Sequence, residues 1–173
     1  MIKGIAKRFI GIFKRNKRTT SAEAMAARNK ILAAEAALRK MPGSMVGDCF
    51  PLHHSFADNM YVREINVPKG ALLVTKIHKV AHPYFVLKGD VSVFTEDGVK
   101  RVTAPFYGIT PAGTKRVCYI HEDCVWVTCH VTKEKDLDKI EQEVIAPSYG
   151  DVSLPERIND LLKICKGEKS CLG

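Results

Sequence analysis

The sequence predicts a mainly β protein: an antiparallel β-barrel with a helical arm before it and helices after it. Three observations predict this. From Ser44 to Thr132 the chain divides into seven short runs rich in β-branched and aromatic residues, turn-forming residues separate the runs, and nothing of helical period lies between them. A parallel sheet needs crossover helices, so strands this closely spaced pair antiparallel and build a barrel or sandwich.

The strand candidates are Tyr61 to Val67, Ala71 to His78, Tyr84 to Leu87, Val91 to Thr95, Val99 to Thr103, Arg116 to His121 and Val125 to Val131. Pro68-Lys69-Gly70, Asp97-Gly98, Pro111-Ala112-Gly113 and Glu122-Asp123 supply turn chemistry between them. On the run from Tyr61, alternation sends Tyr61 and Arg63 to one face and Glu64 to the other. Trp126, with Val125, Val127, Cys129 and Val131, reads as barrel wall.

Ahead of the barrel, residues 2–15 carry a basic amphipathic pattern. At 3.6 residues per turn Ile2, Ile5, Phe9, Ile12 and Phe13 share one side, and Lys3, Lys7, Arg8, Lys14 and Arg15 share the other. Gly4 and Gly11 each cost such a helix about 1 kcal/mol against Ala, so it needs a surface to lie on. Thr20 and Glu23 stand at capping-box spacing and open a second helix reaching about Lys40, which Pro42-Gly43 stops. Beyond Thr132, Leu137, Ile140 and Val144 share a helical face. Ser153 and Glu156 open a last helix with Ile158, Leu161, Leu162 and Cys165 as its stripe. The organisation expected is an arm at 1–43, a barrel at 44–132 and terminal helices at 133–173.

Charge is segregated in the same way. The 173 residues carry a formal net charge of +8, yet residues 1–40 hold eleven Lys and Arg against two Glu. The remainder is close to neutral, so an electrostatic partner meets the arm, not the barrel. The arm suits three partners: protein docking through its apolar face, a membrane surface through both faces, or nucleic acid through the run Lys14, Arg15, Lys17 and Arg18. There is no long apolar run and no secretory pattern at the N-terminus, which points to a cytosolic setting. Six cysteines without a C-x-x-C pair read as reduced thiols, several of them buried.

Pro68-Lys69-Gly70, then His78, His82 and Gly89 within HKVAHPYFVLKG, followed by Pro111-Ala112-Gly113, resemble the two motifs of the cupin superfamily over about 50 central residues. The resemblance implies a jelly-roll barrel whose ligand positions point inward. It sets His82 at the family's Glu, His78 at its second His, Lys76 at its first His and Arg116 at the motif-two His. Two of four family ligands are therefore cations, which do not ordinarily bind metal. The run from Pro51 through His54, Phe56, Tyr61, Arg63 and Glu64 to the strand Trp126 to His130 is similar to cupin-like proteins of tailed bacteriophages and prophages. That similarity implies a protein made in the host cytoplasm and incorporated into virions, with other phage proteins as partners.

Three readings of the site follow. In the first, His78 and His82 hold a divalent transition metal such as Zn, Mn, Fe or Ni, with His54 as the third ligand and Glu64, His121 or His130 as other third donors. In the second, Lys76, Arg116 and Glu64 line a polar or anion-binding pocket; in the third, the histidines are structural. For function, the resemblance and segregated charge favour a non-enzymatic, oligomeric phage structural or assembly component attached through its arm. The alternatives are a metal-dependent cupin enzyme acting on a small molecule and a nucleic-acid-binding regulator.

Overall fold

The computed structural model describes residues 21–152. The basic helix expected at residues 2–15, with its partner-binding side chains, the capping residue Thr20 and the last helix opened by Ser153 and Glu156 lie outside the described residues.

Helix α1, Ser21–Leu38, precedes the strands β1 Leu52–Ala57, β2 Met60–Val67, β3 Leu72–Val74, β4 Ile77–His78, β5 His82–Thr95, β6 Gly98–Thr103, β7 Phe106–Thr110 and β8 Val117–Val131. Helix α2, Leu137–Val144, then runs directly into β9, Ile145–Ala146. All pairings are antiparallel.

Two long strands, β5 and β8, form the spine and are shared by two half-sheets. One half runs β1-β2-β8-β5-β7, and the other runs β3-β8-β5-β6. The halves meet where the register between β5 and β8 slips around Lys88 to Asp90. Before the slip β5 buries His82, Tyr84 and Val86; after it Val91 and Val93 are buried. Three register shifts lie between Val86 and Val91, and across them the buried positions of β5 change from even to odd, so both halves face the same interior. Gly89 makes this possible. Its φ is +95°, and a Cβ there would lie 2.5 Å from the Asp123 carbonyl oxygen and 2.8 Å from the Cys124 Cα.

Three expectations are corrected. The expected breaks at Lys88-Gly89-Asp90 and Glu122-Asp123 are the two sides of this bulge, so four short strand candidates merge into β5 and β8. The run Ala71 to His78 divides at Thr75-Lys76, because the Thr75 N–H donates to the Arg116 carbonyl and the chain then leaves β8 to pair with β9. The barrel is not closed: β1 and β7 edge one half, and β3 and β6 edge the other, without pairing across.

Between the halves, Val67, Tyr84, Val86, Val91, Val93, Val102, Cys118, Ile120 and Cys124 form the core. Helix α1 packs against β3 and β5, with Ile31 fully buried, and is pinned by ion pairs from Arg28 to Glu96 and from Lys115 to Glu35. The Asp136 carboxylate caps α2 by accepting from the N–H groups of Asp138 and Lys139. Ile140 and Val144 of α2 then pack on Tyr61, and this holds β9 beside β4.

Candidate metal centre

Three histidines meet inside the fold, and each arrives by a different route. His82 opens β5. Across β5 and β8, Tyr84 faces Thr128, and the same register carried two residues on puts His82 opposite His130. His78 comes from the short strand β4, held by its pairing with Ile145 and by the Gly113 N–H, which donates to the His78 carbonyl at 2.8 Å. The Pro111-Ala112-Gly113 turn thus orients a candidate ligand through its backbone. The positive φ of Gly113, +77°, suits glycine there.

The ring centroids of His78 and His82 are 4.2 Å apart, those of His82 and His130 4.4 Å, and those of His78 and His130 5.2 Å. One ligand nitrogen from each lies within 4.8 Å of the other two. A tetrahedral ion about 2.05 Å from each nitrogen requires separations of about 3.4 Å, so binding would draw the rings inward from these positions. His78 Nδ1, His82 Nε2 and His130 Nδ1 are buried and have no hydrogen-bond partner. An unpaired buried polar atom costs about 1–3 kcal/mol, so three of them on neighbouring rings are a costly arrangement unless something binds them.

Electrostatics favours the ligating form. Burial first, then the neighbouring His82, His130, Arg116 and Arg63, push the His78 imidazole down to about 2. Burial with His82 and Arg63 brings His130 down to about 4. His82 is lowered mainly by burial. Its Nδ1–H donates to the Val80 carbonyl at 3.2 Å, which leaves Nε2 as the lone-pair nitrogen. At neutral pH all three rings are uncharged bases. Three buried neutral imidazoles suit Zn, Fe, Ni or Cu.

The remaining candidate residues are distributed as follows. His54 is not in the trio: its Nδ1 is 2.7 Å from the Tyr61 hydroxyl, and the Tyr61 ring stands between His54 and His130. His130 occupies the third-donor place instead. Lys76 sits at the cavity lip, its Nζ 2.7 Å from both carboxylate oxygens of Glu141. Glu64 accepts from the Asn66 amide at 3.1 Å and does not line the cavity. His121 is apart, 2.8 Å from the Ser92 hydroxyl. Arg116 is inside, 6% exposed, donating to the Thr110 hydroxyl at 2.5 Å.

A cavity of about 1090 Å³ opens beside the trio, with His78, His130, Arg116 and Trp126 on its wall. Its apolar lining includes Phe50, Ile65 and Leu73. The volume admits a small organic molecule next to the histidines.

No protein-family model and no curated protein matches the chain. Among solved structures, the chain is similar to KdgF from Halomonas sp., with 13% identity over 57% of this chain and 94% of that one, at a TM-score of 0.45. It is similar to an acetylacetone dioxygenase from Acinetobacter johnsonii, with 18% identity over 53% and 65% of the two chains and a TM-score of 0.43. A cupin-2 domain containing protein from Shewanella frigidimarina is similar at 10% identity over 58% and 91%, with a TM-score of 0.40.

Proposed function

We propose that the protein is a cupin-like, metal-dependent enzyme that holds one divalent transition-metal ion on His78, His82 and His130 and acts on a small molecule admitted by the adjoining cavity. The observation that carries this reading is the cluster of His78, His82 and His130, in which one ring nitrogen of each lies within 4.8 Å of the other two and each ring also has a buried nitrogen without a hydrogen-bond partner. Structural zinc sites close all four positions with protein ligands, whereas catalytic sites leave one open. Among the described residues this cluster supplies three donors. An ion held there would supply Lewis acidity and a coordination site for substrate or water. The protein's own part is to keep the rings neutral, to fix the His82 tautomer through Val80, and to present the apolar walls and Arg116 to whatever enters.

Elemental analysis of protein purified without chelators tests the reading. It should find about one Zn, Mn, Fe, Ni or Cu per chain, with most of it lost in His130→Ala. Less than about 0.2 per chain, unchanged after incubation with these ions, would contradict it.

The non-enzymatic assembly role is the second reading, supported by the concentration of basic charge on residues 1–40 and by the resemblance to phage-encoded proteins. In it an oligomeric chain works in the host cytoplasm or the virion and attaches to other phage proteins through residues 1–18. Deletion of those residues should abolish co-sedimentation with phage particles. If binding moves instead to liposomes or to nucleic acid in a salt-dependent way, the arm has another partner.

A further inference from the structure

The cavity wall contains a cation without a counter-charge. Arg63 is paired with Asp48, Lys76 with Glu141, and both Arg39 and Lys115 with Glu35. Arg116 differs from these. It is more deeply buried than they are, and among the described residues its guanidinium meets no carboxylate; its side-chain partner is the neutral Thr110 hydroxyl. Two aromatic rings lie beside the guanidinium, with Cζ 5.2 Å from the Tyr84 centroid and 5.7 Å from that of Trp126. Those rings stack on each other at 4.8 Å and 10°. Burial lowers the Arg116 pKa, which shows that the cation is poorly solvated. It nonetheless stays charged, because arginine does not deprotonate in proteins. A buried, unpaired charge of this kind is expensive unless an opposite charge joins it.

From this geometry we infer that Arg116 is an anion-recognition residue, and that the ligand class is an organic monocarboxylate whose apolar body lies along Trp126 and the Phe50, Ile65 and Leu73 wall. Three features select this class. One guanidinium balances one negative charge, whereas a phosphomonoester brings between one and two. Thr110 engages one Nη2 proton, so the remaining donors offer the planar fork that matches a carboxylate. The cavity around it is lined largely by apolar side chains, which would desolvate a polyanion at high cost. The inference deepens the metal-enzyme reading by naming its substrate class, but its footing is Arg116 and not the histidines.

Trp126 is the only tryptophan in the chain and lies beside Arg116, so its fluorescence reports on the site. Full-length protein, both zinc-loaded and stripped with EDTA, is titrated with hexanoate and with the uncharged isostere hexanamide at constant ionic strength. Saturable change with hexanoate is expected in both preparations, with hexanamide weaker by about tenfold or more, since a charge-assisted hydrogen bond is lost. Arg116→Gln should abolish that preference while the protein still binds zinc, and Arg116→Lys should keep part of it. Equal response to hexanoate and hexanamide, no response to hexanoate at about 10 mM, or a preference that survives Arg116→Gln overturns the inference. If the glutamine variant does not fold, the wild-type comparison decides alone. Failure of the chain to bind any metal, with the carboxylate preference intact, would remove the metal reading and leave this one standing.

Discussion

Acidification of the metal-free protein should destabilise it already between pH 7.5 and 5.5. In the unfolded chain a histidine takes up a proton near pH 6.5. In the folded chain His130 resists protonation to about 4 and His78 to about 2, both through burial first. Between those limits the unfolded state binds more protons, so stability falls as pH falls. At pH 5.5 each of these two rings contributes about 1.4 kcal/mol of this loss relative to a high-pH reference, or about 3 kcal/mol together. His82, shifted the same way, adds to it. Asp90 is lowered by its hydrogen bond from Arg101, and Glu134 by the Asp136 and Lys135 N–H groups, so their own loss of stability falls at still lower pH. Urea unfolding of EDTA-treated protein, followed by Trp126 fluorescence at pH 7.5, 6.5 and 5.5, measures the effect. Replacing His78 and His130 with Asn should flatten the dependence. A midpoint that does not move between pH 7.5 and 5.5 would refute the claim that the trio is buried and neutral. Zinc at saturation should raise stability and steepen the loss on acidification, because protons then compete with the ion for all three ligands.

Three further outcomes follow from the packing. Gly89→Ala should cost about 3 kcal/mol or more in chemical denaturation, because the new Cβ meets backbone on β8 and the φ of +95° disfavours any side chain. Ile31→Ala should cost about 2–5 kcal/mol, as a fully buried side chain at the α1 contact, and an effect below about 0.5 kcal/mol would mean that the helix does not dock on the sheet. Cys118, pushed up by burial to about 12, and Cys124, pushed up to about 11, should react with a thiol reagent at pH 8 only after unfolding. Among the described cysteines, mass-spectrometric mapping should find Cys49 and Cys129 modified before Cys118 and Cys124.

The strand content and antiparallel pairing were readable because β-branched runs and turn residues repeat at short intervals. The continuity of β5 and β8 was not. Gly89, Glu122 and Asp123 have the composition of a turn, and a bulge uses the same residues for the same freedom of backbone. Strand β7 is hidden by Gly108, which a strand pattern disfavours; here it is needed because a Cβ would lie 2.9 Å from the Tyr84 ring. Strand β1 is mostly exposed and shows no hydrophobic run.

At the site, motif spacing placed His78 and His82, since both depend on local turns that carry their own signatures. The third donor depends on register across β5 and β8, which no local pattern encodes. His54 was as good a candidate in sequence, and it is excluded from the cluster by the Tyr61 ring. Arg116 was readable as a cation in a ligand position. Its lack of a carboxylate partner could be seen only once Glu35, Asp48 and Glu141 were placed with other bases.

The most direct test of the metal centre is an anomalous-scattering map from crystals of protein loaded with zinc and collected across the zinc edge. The account predicts one peak per chain, about 2.0–2.2 Å from nitrogens of His78, His82 and His130. A peak on other residues, or none while the three rings instead hydrogen-bond to ordered water, would contradict it.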